Sequence, residues 1–455
     1  MNLATGFEGH PDDKVAIISR GHPTTYGELA SQVARLRGGL IELGIAPGDR
    51  VAILCANNRY FTEAYLGVLG AGAVAVPLNP TSPGRELAAQ MQTAGVKAAL
   101  VGPSAREAMA SVPTDTRPEH VFVFDGAELS GARRVEDLLE ADPAPIVERD
   151  EDDLACLIFT AGTGGAPKAA MLSHGNLLSN LQQVQRHPGR AVEPSDVCFG
   201  VLPLFHIFGL NVVLGLTLYA GATVVLVERF DPVSTIETVQ RHGVTILPGA
   251  PPLFAALAST SGDREALHTL RLTMSGASAL PVEVAERFAE RFGVTIYQGY
   301  GLTEASPIVT SSIIGGTAKP GSIGVPLPGV EVRLVDAEGE DALLGDEGEI
   351  WVRGPNVFKG YLNEPEATAR VLTDDGWLRT GDVAVADEDG YLYIVDRQKD
   401  LVIVSGFNVY PAEVEEVLQS MPGIDQVAVA GVEHPYTGET VKAWVVTSNG
   451  SALDE

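Results

Sequence analysis

The sequence predicts an α/β fold in which a large N-terminal domain is built from two packed, mostly parallel αβα sheets. A small β-barrel-like subdomain and a partial α+β C-terminal domain follow it. Three observations predict this. Apolar runs such as RVAILC, AVAVPL and VTILPG alternate with helical patterns through the first two thirds of the chain, as strands buried on both faces of a parallel sheet do. The number of these units exceeds what one sheet holds, and 455 residues exceed what one hydrophobic core serves. From Gly324 the pattern changes to short alternating strands with Gly/Asp turns, VEVRLVD, GEIWVRG and YLYIVD.

Taken in order, KVAIIS, a turn at Arg20-Gly21-His22-Pro23 and TTYGELA read as a hairpin entering a helix. Strand RVAILC, helix 59–70, strand AVAVPL, helix 84–94 and strands AALV and VFVF follow, and DLACLIF leads into a glycine-rich loop. The alternation resumes with DVCFGVLP, ATVVLV, helix 232–241, VTILPG, a helix after Pro251, LRLTMSG, helix 281–291 and VTIYQG. The Pro/Gly-dense patch from Pro320 to Pro328 reads as a connector. The expected division is 1–395 for the large domain with a β-rich subdomain at 323–395, a hinge at 396–400, and 401–455 as a partial C-terminal lid.

A formal charge of -28 argues against a nucleic-acid or anionic-membrane surface. Cys55, Cys156 and Cys198 stand in apolar surroundings without C-x-x-C spacing, which fits buried thiols of a reducing compartment and a cytoplasmic location. The N-terminus shows no basic leader with an apolar core. Residues 201–227 are strongly apolar, but Pro203, His206, Asn211 and the Tyr219-Ala220-Gly221 break divide them, so no integral membrane segment is expected.

Five stretches carry candidate chemistry. The first is LIFTAGTGGAPKAAMLSHGN, where Gly162, Gly164 and Gly165 follow a strand, Thr160 and Thr163 supply hydroxyls, and Lys168 supplies a charge. Such a turn converges N–H groups on an anion. It is not a Walker A loop, since Lys168 sits between Pro167 and Ala169 rather than in Gly-Lys-Ser/Thr. The second places His206 in LPLFHIFG, at an apolar helix start. The third, Gln298-Gly299-Tyr300-Gly301-Leu302-Thr303-Glu304, follows a strand directly and offers a stacking ring, a hydroxyl and a carboxylate where α/β sheets bind ligands. The fourth is GWLRTGD, with Asp382 placed after a turn to accept ribose hydroxyls, and the fifth is Arg397 with Lys399 at the domain junction.

As an ordered set, with GEIWVRGPNVFKGYLN and DRQKDLVIVSGFNVYPAEVE, these stretches resemble the adenylate-forming enzymes, the superfamily of acyl- and aryl-CoA synthetases, carrier-protein adenylation domains and beetle luciferases. The resemblance spans about residues 10 to 450. It implies ATP, Mg²⁺ and coenzyme A as cofactor and co-substrates. By it the 157–170 loop holds the β- and γ-phosphates, Tyr300 stacks on adenine, and Thr303 contacts the α-phosphate. Gly276, Ala277, Gln298, Gly299 and Gly301 complete the nucleotide site, Glu304 binds Mg²⁺, Asp382 with Arg397 holds the ribose, and Lys399 is the hinge. His206 lies near the reacting carbonyl, and Phe208, Gly249, Ala250, Ser275, Gly276 and Ala277 line the acid pocket. After the small domain rotates, the Ser405-Gly406-Phe407 turn is implied to face the site and help form a pantetheine tunnel.

The sequence departs from the family in two places. The family loop reads Ser-Gly-Thr-Thr-Gly-x-Pro-Lys-Gly, and here Ala161, Gly164 and Ala169 replace a Ser, a Thr and a Gly. Each lost charge-assisted hydrogen bond costs roughly 1.5–3 kcal/mol if unreplaced. The family's C-terminal lysine finds no counterpart after Lys442, so a C-terminally truncated chain, slow in adenylation, is expected. His206 stands where amino-acid-activating relatives have Asp, and Ala256 where malonate-activating relatives have Arg. The small apolar lining fits a fatty acid best, with an aromatic acid as the other choice. Three functions stay open: an acyl-CoA ligase, an acyl-AMP ligase loading an acyl-carrier protein, and a weakly active nucleotide-binding relative.

Overall fold

The computed structural model describes all residues except 127–128, 161–167, 187–190, 261–263, 398–401, 405–406, 410, 420, 422, 435–437 and 448–455. The chain divides into two compact units, Met1–Glu331 with Arg353–Gly376, and Val332–Val352 with Trp377–Glu455.

The larger unit contains the two expected sheets. A seven-stranded sheet runs Arg133–Arg134, His120–Val123, Val96–Val101, Arg50–Leu54, Val74–Pro77, Leu154–Thr160, Lys168–Ser173. All its pairs are parallel except the last. A nine-stranded sheet runs Val325–Pro326, Ile308–Ser311, Ile296–Gly301, Leu272–Ser275, Ile246–Gly249, Val197–Gly200, Thr223–Leu226, Val15–Ser19, His22–Thr25. Its central pairs are parallel and its edges antiparallel.

Helix Arg59–Gly70 is buried at every residue from Tyr60 to Gly70, which accounts for its apolar composition all round. It packs on helix Tyr26–Glu42 so closely that a Cβ on Gly67 would lie 2.9 Å from Leu36 Cδ2. Thr25 caps the latter helix in a capping box with Glu28, a pairing legible as T-x-x-E. Separate cores cover the two sheets. One gathers Leu54, Val76, Leu87, Met91 and Val101. The other gathers Phe199, Leu247, Phe254, Phe288 and Phe292.

The structure differs from the sequence reading where pairing is non-local. Lys168–Ser173, which the sequence reading did not assign to a strand, runs antiparallel beside Leu154–Thr160. Ile308–Ser311 and Val325–Pro326 add antiparallel strands, the second within the expected connector. The apolar run after His206 is a π-helix, Phe208–Gly215, continuing as helix Leu216–Tyr219. No helix among the described residues is long and apolar enough to cross a membrane.

The smaller unit is β-rich and groups most strands of the 323–395 segment, read from sequence as part of the large domain, with the C-terminal segment. Strands Glu331–Val335, Gly348–Arg353, Leu378–Ala386 and Leu392–Arg397 form one four-stranded sheet. Phe407–Val409, Val402–Val404, Gly438–Thr447 and Ile424–His434 form another, against which helix Pro411–Gln419 packs.

Candidate active site

Four neighbouring parallel strands, Val197–Gly200, Ile246–Gly249, Leu272–Ser275 and Ile296–Gly301, end on the same side. The turns beyond their carboxyl ends enclose a cavity of about 390 Å³, where open α/β sheets place ligands. His206, Phe208, Ala250, Ser275, Gly276, Ala277, Gln298, Gly299, Tyr300, Gly301 and Thr303 all line it. The sequence reading missed Leu202, Val212, Met274, Tyr297, Ile308 and Ile313, which complete its largely apolar wall. Nothing but the fold brings these positions to one surface.

Small residues are required at the strand ends. A Cβ on Gly276 would lie 3.1 Å from Phe208 Cε1 and 3.6 Å from the Gly299 carbonyl oxygen. Ala277 adopts a φ of 72°, a left-handed conformation costing a non-glycine residue roughly 1–2 kcal/mol. Gln298 is tied on both sides: its Oε1 accepts from Leu280 N–H at 3.1 Å, and its carbonyl accepts from Ser312 N–H at 2.8 Å and Ser312 Oγ at 2.9 Å. His206 faces the cavity with the Phe205 ring 4.7 Å from its own. The surrounding protein partly desolvates the ring, which lowers its pKa from the ordinary imidazole value.

Thr303–Ala305 forms a single 3₁₀ turn just beyond the strand Ile296–Gly301. Residues 355–361 hold it in place. Phe358 N–H donates to the Glu304 carbonyl at 2.8 Å, Asn356 Nδ2 donates to the Ala305 carbonyl at 2.9 Å, and Ser306 Oγ donates to the Asn356 carbonyl at 2.8 Å. From the opposite side Asn211 Nδ2, inside the π-helix, donates to the Ser306 carbonyl at 2.8 Å. Residues 359–362 also pair with strand Lys168–Ser173 through Met171 N–H to Gly360 O, Lys359 N–H to Met171 O and Leu362 N–H to Ala169 O.

That pairing delivers Tyr361, which the sequence reading did not single out. Its hydroxyl donates to Glu304 Oε1 at 2.6 Å, and Lys168 Nζ lies 5.3 Å from its ring centroid. Burial, the Glu304 charge and the hydrogen bond to it raise the Tyr361 pKa well above the ordinary value, so the phenol remains a donor. The only sequence signal was its place in the quoted GPNVFKGYLN stretch.

Thr160 and Lys168 are direct cross-strand partners at the mouth of the loop. Gly162, Thr163, Gly164 and Gly165 lie outside the described residues, as do Lys399, Ser405 and Gly406. Gly249 is not among the cavity residues, and Leu253 and Phe254 fill the space beside its Cα. In the smaller unit Asp382 is buried within a strand, following Gly381 at a φ of 73°, and its cross-strand partner is Arg397.

The donor set fits a hard divalent cation. Glu304 offers a carboxylate with one oxygen engaged by a neutral phenol, and Mg²⁺ is held by one or two carboxylates plus substrate phosphates rather than by an all-protein cage.

Its relatives, more than the two-sheet α/β fold and its cleft, make the chain an ATP-dependent acid–thiol ligase of the adenylate-forming class. The chain belongs to the AMP-binding enzyme family, whose profile matches residues 3–362, and the profile of the AMP-binding enzyme C-terminal domain matches residues 413–455. It is 36% identical to a long-chain-fatty-acid–CoA ligase of Bacillus subtilis over 100% of this chain and 86% of that protein. It is 39% identical to a feruloyl-CoA synthase of an Amycolatopsis species over 96% of this chain and 87% of that protein. Among solved structures, ATP-bound MatB from Rhodopseudomonas palustris superposes with a TM-score of 0.89 at 34% identity, covering 100% of this chain and 90% of that one.

Proposed function

We propose that this chain activates a fatty acid, forming acyl-AMP from ATP with release of pyrophosphate, and transfers the acyl group to coenzyme A. In the first half-reaction a carboxylate oxygen attacks the α-phosphorus and pyrophosphate leaves. In the second a thiol sulfur attacks the adenylate carbonyl and AMP leaves. The observation that carries this reading is the apolar cavity of about 390 Å³, with His206 on one wall and the Tyr300–Thr303 segment on another.

Within that reading Tyr300 stacks on adenine beside Gly276 and Ala277, and Thr303 meets the α-phosphate. His206 stands at the acid's carboxylate, and Phe208, Val212 and Ile313 pack on its chain. Glu304, held by Tyr361, would bind Mg²⁺, which supplies positive charge to the phosphate oxygens when bound. Thr160 and Lys168 serve the phosphates, with Gly162, Thr163, Gly164 and Gly165 assigned there by the motif alone. The ribose role of Asp382 and Arg397 and the hinge role of Lys399 rest on the motif too. A cytoplasmic location is supported by three buried free thiols.

The kinship to a feruloyl-CoA synthase favours an aromatic acid as the second reading. Pyrophosphate release across a panel of fatty and hydroxycinnamic acids, followed by thioester formation with free coenzyme A, tests both. Fatty acids are expected to give the highest kcat/KM. A panel led by aromatic acids would replace the substrate, and adenylate formation without transfer to coenzyme A would move the acceptor to a carrier-protein thiol.

A further inference from the structure

The strand Arg50–Leu54 of the seven-stranded sheet ends in Cys55-Ala56-Asn57-Asn58 before helix Arg59–Gly70. Two adjacent asparagines there do different work. Asn58 is the helix cap, its Oδ1 accepting from Tyr60 N–H at 3.1 Å. Asn57 turns away from its own sheet and reaches the loop that follows strand Val197–Gly200 of the other sheet. Its Nδ2 donates to the Gly200 carbonyl at 3.1 Å and to the Leu202 carbonyl at 2.7 Å, and its Oδ1 accepts from Leu204 N–H at 3.0 Å.

The loop needs such a partner. Residues 201–207 run between a strand and the π-helix, and Pro203 interrupts them, so no sheet ladder satisfies the backbone groups. Leu204 is fully buried and Asn57 is 6% exposed, so water is a poor substitute at the Leu204 N–H. The same loop carries Leu202, Pro203 and His206 into the cavity wall, and the next turn carries Phe208. The bond from His206 N–H to the Pro203 carbonyl at 3.1 Å makes the pinned segment continuous with the imidazole.

We infer that Asn57 is a positioning residue for the acid subsite. Through three hydrogen bonds to Gly200, Leu202 and Leu204 it sets where His206 and Phe208 stand against the strand ends, and so the angle at which the carboxylate meets the α-phosphate. The amide suits this task because two N–H donors and a carbonyl acceptor lie on one short stem. Aspartate keeps the bond from Leu204 but sets an anionic oxygen against two carbonyls. Glutamine keeps all three groups one methylene further out. The inference rests on the reading of the cavity as the acid site.

The test is steady-state pyrophosphate release by the full chain, with acid and ATP varied separately, for Asn57→Ala, Asn57→Asp, His206→Ala and the Asn57→Ala/His206→Ala double variant. Misplacement of a reacting group by about 1 Å costs up to ~10²-fold, so kcat/KM for the acid is expected to fall about 10- to 100-fold in both Asn57 variants. KM for ATP is expected to move less than about twofold, because the change lies at the acid rather than at the nucleotide. In the His206→Ala background the Asn57→Ala cost is expected to shrink to less than about threefold, as for residues acting in series. An undiminished cost in that background, or a KM for ATP that rises about tenfold or more, overturns the inference while leaving the cavity reading intact. Unchanged acid kinetics in His206→Ala alone overturns the cavity reading and the inference with it. If Asn57→Ala does not fold, Asn57→Gln carries the same double-variant comparison.

Discussion

The Tyr361 hydroxyl donates a 2.6 Å hydrogen bond to the Glu304 carboxylate. The two residues are 57 positions apart, and they meet because residues 359–362 pair alongside strand Lys168–Ser173. The phenol fixes one carboxylate oxygen without adding charge, and its ring lies under Lys168 Nζ. One side chain thus touches both the proposed metal ligand and the proposed phosphate lysine.

Tyr361→Phe keeps the ring against Phe358, whose centroid is 5.0 Å away, and removes only the donor. A hydrogen bond to a charged group is worth about 1.5–3 kcal/mol, so pyrophosphate release at fixed Mg²⁺ is expected to fall roughly 10- to 100-fold with an increased half-saturating Mg²⁺ concentration. Glu304→Gln should remove most of the Mg²⁺-dependent rate. A Mg²⁺ titration of both variants checks this, and an unshifted curve for Glu304→Gln would take the metal role away from that residue.

Gly276→Ala is expected to displace Phe208, because the new methyl would lie 3.1 Å from its ring. The cavity narrows from the acyl side, so KM for long acids should rise while short acids are little affected. A uniform loss across chain lengths would instead point to a disturbed nucleotide site. Overpacking of this kind also costs about 1–3 kcal/mol of stability, measurable by thermal melting.

Asp196 and Arg271 form a buried-to-surface ion pair at the start of two strands of the nine-stranded sheet. Asp196 is 3% exposed and is also held by Glu193 N–H at 2.7 Å and Thr245 Oγ1 at 2.7 Å. Burial by itself would raise the Asp196 carboxyl, but these donors together hold its pKa below the usual carboxylate value. A depressed folded pKa contributes stability above the unfolded pKa and loses it as pH falls through the folded one. Arg271→Met leaves an unpaired buried charge, a change costing about 3–5 kcal/mol in enclosed pairs and less here because Arg271 is partly exposed. Denaturant melts of both proteins should show the difference shrinking as pH falls; a constant difference would refute the assignment.

His174 is fully buried, and its Nδ1 accepts from Leu3 N–H at 3.0 Å. Burial, with the Arg149 and N-terminal charges outweighing Asp153, lowers its pKa from 6.5 to about 4. The folded protein therefore binds fewer protons than the unfolded chain between those values, and stability falls as pH drops across that window. The full effect is on the order of 3 kcal/mol. His174→Gln keeps an acceptor for Leu3 and should flatten the slope. An unchanged slope would place the acid sensitivity elsewhere.

Much of the site was legible because its residues travel in contiguous stretches. Gln298 to Glu304 is one strand end and one turn, so a single alternation of apolar residues followed by Gly-Tyr-Gly fixes where it lies. His206 reads in its own segment as a polar residue in an apolar helix start, its expected role came from the family resemblance, and the strand ends place it on the cavity wall. Tyr361, Asn57 and Asn211 were not legible, since an asparagine or tyrosine that hydrogen-bonds to a distant backbone has no periodic signature in its own segment.

The sequence by itself determined the two-sheet architecture, since buried parallel strands need near-continuous apolar runs and the helices between them need one apolar face. It also determined the ordered motifs and with them the family. Tertiary structure alone decided that Lys168 begins a returning strand, that Pro320 to Pro328 supplies an edge strand, and that Asn57 of one sheet holds the His206 loop of the other. The physical reason is range. Hydrophobic period and turn chemistry act between residues a few positions apart, whereas the bond from Tyr361 to Glu304 and the three from Asn57 join segments that only the packed sheets bring within 3.1 Å.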